Sequence, residues 1–150
     1  MSSETLALIG LDGPEYAEEL DLRWRVLREP LGLGRDAVEF PFEAESLHLV
    51  ALEAGRVVAC VLFHPEGPGT GRLLQMAVEP WKQGTGLGTR LVRALEDEVA
   101  RRGFREVTLH ARDTAVGFYA RLGYAPIGPP YLEVGIPHQN MRRALDPAGG

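Results

Sequence analysis

Gln83-Gly84-Thr85-Gly86-Leu87-Gly88-Thr89 places three glycines at alternate positions. The residues before it, Arg72 to Val78, read as a strand halted by Glu79-Pro80, and those after it, from about Gly88 to Arg102, read as an amphipathic helix. Leu91, Val92, Leu95 and Val99 recur at spacings that line one helical face with apolar side chains, and Gly103 is a stop signal. Without side chains at the glycines, backbone N–H groups can close on an anion, and the helix N-terminus adds about half a positive charge. A phosphate is the expected guest, with a flexible strand-to-helix turn as the alternative use of the same glycines. A Walker-type loop requires Gly-Lys followed by Ser or Thr, whereas Gly86 is followed by Leu87. A dinucleotide fingerprint requires a glycine at its sixth position, which counted from Gly84 is Thr89.

Working outward, Thr5 to Ile9 reads as a short strand, and Leu11-Asp12-Gly13-Pro14 supplies a turn and a proline suited to the first turn of a helix. That helix is expected from Glu15 to about Arg28, with Leu20, Trp24 and Leu27 on its apolar face and Glu18, Glu19, Arg23 and Arg25 on polar ones. Leu31 to Ser46 lacks a clear period and reads as a loop with a short helix. His48 to Leu52 and Arg56 to Phe63, joined at Glu53-Ala54-Gly55, read as a hairpin of two largely buried strands, followed by a turn region over Pro65 to Gly71. Beyond the long helix come a strand at Glu106 to Ala111, a short helix at Thr114 to Leu122, two extended segments near Pro126 to Val134 and His138 to Arg143, and a frayed tail over 146–150. This order suits an α/β fold of the mixed, α+β kind, a mixed sheet with helices on its faces, rather than a doubly wound nucleotide fold.

At 150 residues, 45% hydrophobic and 25% charged, the chain has the balance of one domain, 1–150, with a sizeable core. Its apolar runs fall far short of the roughly 20 residues that span a bilayer, and its opening residues carry no basic group of a secretory signal. A cytoplasmic protein without a membrane partner is expected. The net charge of −5, from 16 basic and 21 acidic residues, argues against nucleic acid as a partner. Cys60 is the only cysteine, which excludes an intrachain disulfide. Four scattered histidines without a His-x-x-x-His pair give no expectation of a catalytic metal.

The loop Gln83 to Gly88 resembles the acyl-CoA pyrophosphate loop of the GCN5-related N-acetyltransferase (GNAT) family. Met76-Ala77-Val78 precedes it at the spacing of that family's central strand, and Ala115-Val116-Gly117-Phe118-Tyr119-Ala120-Arg121-Leu122-Gly123-Tyr124 is similar to its second signature. The resemblance spans roughly Ala51 to Met141, and the ending Tyr131 to Met141 is similar to that of a little-described bacterial branch. It implies a GNAT-like acyl-CoA N-acyltransferase fold with a central, mostly antiparallel sheet, whose strand Arg72 to Val78 carries a bulge and splays from Glu106 to Ala111. It implies acetyl-CoA as acyl donor, with main-chain groups of Met76, Ala77 and Val78 on the pantetheine arm and Gln83, Gly84, Thr85, Gly86, Leu87, Gly88 and Thr89 around the pyrophosphate.

The same resemblance places Tyr119 near the thioester sulfur, as general acid or as a residue that positions the sulfur. Arg72 stands near where some members carry a glutamate base, which leaves Glu79 and His110 as candidate bases. His48, Glu133 and His138 flank the region that in this family faces the acceptor, and Arg25 and Arg28 read either as a solvated helix face or as contacts to an acidic acceptor. The implied reaction is direct acetyl transfer to a primary amine of a small molecule or peptide, since Cys60 sits in a core strand without an activating partner. A non-catalytic acyl-CoA-binding or sensing module, and an interaction domain whose homodimer buries the last strands, are the alternatives.

Overall fold

A computed structural model describes residues 3–146. Seven strands and three α-helices alternate in the expected order: β1 Thr5–Ile9, α1 Pro14–Arg23, β2 Leu47–Glu53, β3 Arg56–Gly67, β4 Thr70–Val78, α2 Leu87–Arg101, β5 Glu106–Arg112, α3 Val116–Arg121, β6 Ala125–Glu133 and β7 Ile136–Ala144. The strand order is β1-β2-β3-β4-β5-β7-β6. The β1/β2, β2/β3, β5/β7 and β6/β7 pairs are antiparallel, and β4/β5 is parallel over Thr70–Arg72 and Glu106–Thr108. Gln75 in the middle of β4 has φ +55°, a left-handed conformation that interrupts a regular strand. Of the expected tail, residues 147–150 lie outside the described part of the chain.

The chain forms two compact units, one comprising residues up to His64 with Gln75–Leu95, the other Pro65–Leu74 with residues from Glu96 onward. In the first, Leu22 of α1 packs with Val50, Val57, Cys60 and Ala77 of the strands, and Ile9, Val26, Leu27 and Leu52 close around them. Leu91, Val92 and Leu95 of the stripe read from the sequence are all fully buried. Burying each contributes about 1.5–3 kcal/mol.

Helix α1 departs from the expected amphipathic pattern. It ends at Arg23 and continues as a π-helical turn, Trp24–Arg28. The residues it buries completely are Glu19, Leu22 and Arg23, whereas Leu20, Trp24 and Leu27 are only partly covered. Polarity misdirects here because Glu19 and Arg23 neutralise each other one turn apart at 2.8 Å, and Arg23 also meets Glu43 at 2.7 Å. A paired charge is tolerated in a core that would expel a single one. The turn expected over Pro65 to Gly71 shrinks to Pro68-Gly69, because β3 runs on through Pro65 to Gly67 and β4 begins at Thr70.

In the second unit, β5 buries Val107, Leu109 and Ala111 on one side and turns Thr108 and His110 to the other. The short helix expected at Thr114 to Leu122 begins as a 3-10 turn, Asp113–Ala115, before α3. Tyr119, Leu122 and Tyr124 are buried, and the Tyr124 hydroxyl donates to Glu96 at 2.8 Å.

Candidate active site

The glycine loop belongs to the first unit. Gly84 and Gly86 have φ of +78° and +88°, and an added Cβ at either would meet nothing within 4 Å. The glycines are therefore required by backbone conformation, while the space beside them is open. Among the described residues, the backbone N–H groups of Gly84, Thr85, Gly86, Leu87, Gly88 and Thr89 donate to no protein acceptor, the first turn being closed only from Arg90 N–H to the Gly86 carbonyl at 3.1 Å. A run of unsatisfied N–H groups at a helix N-terminus, with left-handed residues interleaved, forms a concave nest for an anion. The loop is braced from below: the Thr85 hydroxyl donates to the Lys82 carbonyl at 2.6 Å, and the Gln83 amide donates to the Val78 carbonyl at 3.0 Å. Gln83 therefore ties the loop to the end of β4. Met76, Ala77 and Val78 follow the irregularity at Gln75, whose carbonyl accepts the Cys60 thiol at 3.4 Å. Burial raises the Cys60 thiol well above its usual range, which makes it a poor nucleophile.

Glu79 is not a solvated turn acid. Its two carboxylate oxygens accept from the Arg25 guanidinium at 2.9 and 3.0 Å, and Arg25 also reaches Asp21 at 2.7 Å. These residues line a cavity of about 560 Å³ that includes Arg56 and the exposed ring of Trp81. Arg25 is thus a half-buried pairing residue rather than a free cation on a helix face.

His48, expected beside the acceptor, lies buried in the core. It is 2% exposed, its Nδ1 is 2.9 Å from a Glu19 carboxylate oxygen, and its Nε2 is 2.9 Å from the Glu43 carbonyl. Both nitrogens face acceptors, so the ring is an imidazolium. Burial alone would lower its pKa, but the hydrogen bonds and charges of Glu19 and Glu43 together outweigh burial and raise it. Glu19, Glu43 and His48 present the donor types of a cation site. The Arg23 guanidinium already lies between the two carboxylates and supplies that positive charge.

In the second unit His110, His138 and Glu133 come together. Glu133 stands 3.6 Å from His110 Nδ1 through one oxygen and 3.6 Å from His138 Nε2 through the other. His138 is fixed by Nδ1–H donating to the Ile136 carbonyl at 2.8 Å, and its ring stacks on Tyr131. The Tyr131 hydroxyl donates to Asn140. Burial, then the positive charge of Arg72, lowers the pKa of His110, and the pull of Glu133 and Glu66 does not restore it. His110 is therefore a neutral base near pH 7. Tyr119 is 6% exposed between Phe118 and Tyr124, and its hydroxyl has no hydrogen-bond partner among the described residues. Burial raises its pKa, which keeps the hydroxyl protonated.

A family model described as an acetyltransferase (GNAT) domain matches residues 34–145. The chain belongs to the GNAT acetyltransferase family. An uncharacterised acetyltransferase of Streptococcus pyogenes serotype M1 is 30% identical over 103 residues, which cover 69% of this chain and 72% of that protein. Among solved structures, an acyl-CoA N-acyltransferase from Pseudomonas aeruginosa superposes with a TM-score of 0.80 at 24% identity, covering 95% of this chain and 100% of that one. An aminoglycoside 6′-N-acetyltransferase in complex with coenzyme A gives 0.80 at 21% identity, covering 95% and 98%. The two superpositions establish the GNAT fold. No helix among the described residues is long and apolar enough to cross a membrane.

Two features of this GNAT chain escape sequence reading. The Arg23 network is hidden because charged residues on a helix read as solvated. Tyr131 joins the histidines only through the strand register, which sets it opposite His138.

Proposed function

We propose that this GNAT protein transfers an acetyl group from acetyl-CoA directly to a primary amine, as one cytoplasmic domain. The observation that carries the reading is the row of unpaired N–H groups from Gly84 to Thr89 at the start of α2, which fits the pyrophosphate of an acyl-CoA. When bound, acetyl-CoA supplies a thioester carbonyl. In this reading the main chain of Met76, Ala77 and Val78 holds the pantetheine arm by strand-like pairing, and the Val78 N–H polarises the carbonyl.

Of the two candidate bases, His110 fits better. Its ring is neutral, whereas both Glu79 oxygens are engaged by Arg25. His110 accepts a proton from the acceptor ammonium, so that a neutral amine attacks the carbonyl carbon. Tyr119, protonated throughout the working range, gives its proton to the sulfur as the carbon–sulfur bond breaks, and the proton that the attacking nitrogen loses as the amide forms restores it. Glu133 and His138 contact the acceptor. Amine-dependent thiol release from acetyl-CoA, with the acetylated amine identified by mass, tests this reading. Tight CoA binding without release from any amine would instead favour a sensing module.

A further inference from the structure

Among the described residues, Arg72 is a cation without an ion-pair partner. It makes no hydrogen bond among them, and its Nε is buried with nothing to donate to. Leaving a guanidinium partly removed from water and uncompensated is costly, so its persistence needs an explanation.

Strand register shows where it points. Arg72 pairs with Thr108 on β5, and His110 lies two residues further along the same strand. His110 pairs with Asn140 on β7, His138 lies two residues before Asn140, and His138 pairs with Tyr131 on β6. Paired residues, and residues two apart, share a face of a sheet. Arg72, His110, His138, Tyr131 and Glu133 therefore stand on one face, opposite the buried side chains of Val107, Leu109 and Met141. On that face Glu133 is turned to the two histidines, at distances too long for direct hydrogen bonds.

We propose that the acceptor is an amine that also bears a carboxylate, with Arg72 gripping the carboxylate and Glu133 receiving the ammonium group beside His110. The inference rests on the acetyl-transfer reading and narrows its acceptor to amino acids and related zwitterions. A guanidinium matches a carboxylate by two parallel N–H···O bonds. A phosphate dianion fits worse, because the Glu133 and Glu66 carboxylates both act on His110 at this face.

The test uses the whole protein with acetyl-CoA and a panel of amino acids and ω-amino acids, each compared with its primary amide and its decarboxylated amine. The free acid should exceed its amide in kcat/KM by roughly 10- to 150-fold, the range of a charge-assisted contact. Arg72→Gln should bring the acid-to-amide ratio close to one and Arg72→Lys should retain part of it. A purely structural role for Arg72 would leave that ratio unchanged. Thiol release with amides and plain amines as good as with the acids overturns the zwitterion inference while acetyl transfer stands. Thiol release with no amine of any kind overturns both.

Discussion

Gly86 offers the sharpest perturbation of the loop. Its φ of +88° is a left-handed conformation that an L side chain adopts at a cost of about 1–2 kcal/mol. Nothing within 4 Å would meet the new Cβ, so Gly86→Ala isolates the backbone term. If the loop holds its shape, the cost appears as lost stability, a fall in Tm of roughly 2–8 °C for a chain of this size. If it relaxes, the cost appears as a roughly 5- to 30-fold loss of CoA affinity. Gly86→Glu adds a carboxylate at the mouth of the nest. Repulsion between unit charges about 4 Å apart in water is about 1 kcal/mol, which for a diphosphate brings the total loss to roughly 100-fold or more. Calorimetric titration with CoA reads both variants, with unfolding followed in parallel. The gap between Glu and Ala should narrow in high salt, where charge is screened, while the Ala deficit persists. A Gly86→Glu protein that is folded and binds CoA within about threefold of wild type would refute the assignment of the nest.

Tyr119→Phe should reduce kcat by about 100-fold, the low end for a lost general acid, while CoA affinity holds, as titration and steady-state kinetics together would show. Unchanged turnover would leave Tyr119 as packing between Phe118 and Tyr124. His110→Gln should lower kcat/KM by a similar factor, and in the wild type kcat/KM should fall only as pH drops through a value below 6.5, where the neutral ring is lost; Glu79→Gln should spare that limb, and its loss there would reverse the choice of base. The buried network predicts a stability profile. His48, raised above 6.5, contributes stability fully below that pH and loses it as pH rises through its folded value. Burial opposes the Glu43 charge, but Arg23 and the Phe40 N–H lower its pKa below 4.5, so its contribution disappears only on acidification. Thermal unfolding should therefore show the network intact between these limits, with a decline that begins as pH rises past 6.5 and runs through the raised folded value of His48, and that His48→Gln flattens; an unchanged decline in that variant would count against the imidazolium.

Patterns carried by backbone chemistry were legible in the sequence. The glycine loop, the stripe from Leu91 to Val99 and the strand at Glu106 to Ala111 each follow from local sequence, and the elements they predict lie within a residue or two of those observed. The first helix was legible as an element, but its buried face was not, because that face consists of Glu19, Leu22 and Arg23, and a burial pattern made of paired charges looks like a solvated surface. The partners of His48 were hidden for the same reason: a histidine bordering a strand gives no sign that a carboxylate will hold it from α1 and a carbonyl from the segment before β2. The grouping of His110, His138, Tyr131 and Glu133 depends on register between β5, β7 and β6, which is fixed by packing and by the irregularity at Ile127 to Tyr131, where the Gln139 amide bonds the Ile127 and Gly128 carbonyls. Arg72 was visible as a departure from the family's glutamate, but that it has no hydrogen-bond or ion-pair partner among the described residues appears only once the strands are paired.

The central claim is that the Gly84 to Thr89 nest holds an acyl-CoA. Calorimetric titration of the folded protein with acetyl-CoA, CoA and ATP addresses it most directly. Selective binding of acetyl-CoA and CoA over ATP, near one per chain, is the expected result. Folded protein that binds neither acetyl-CoA nor CoA would contradict it.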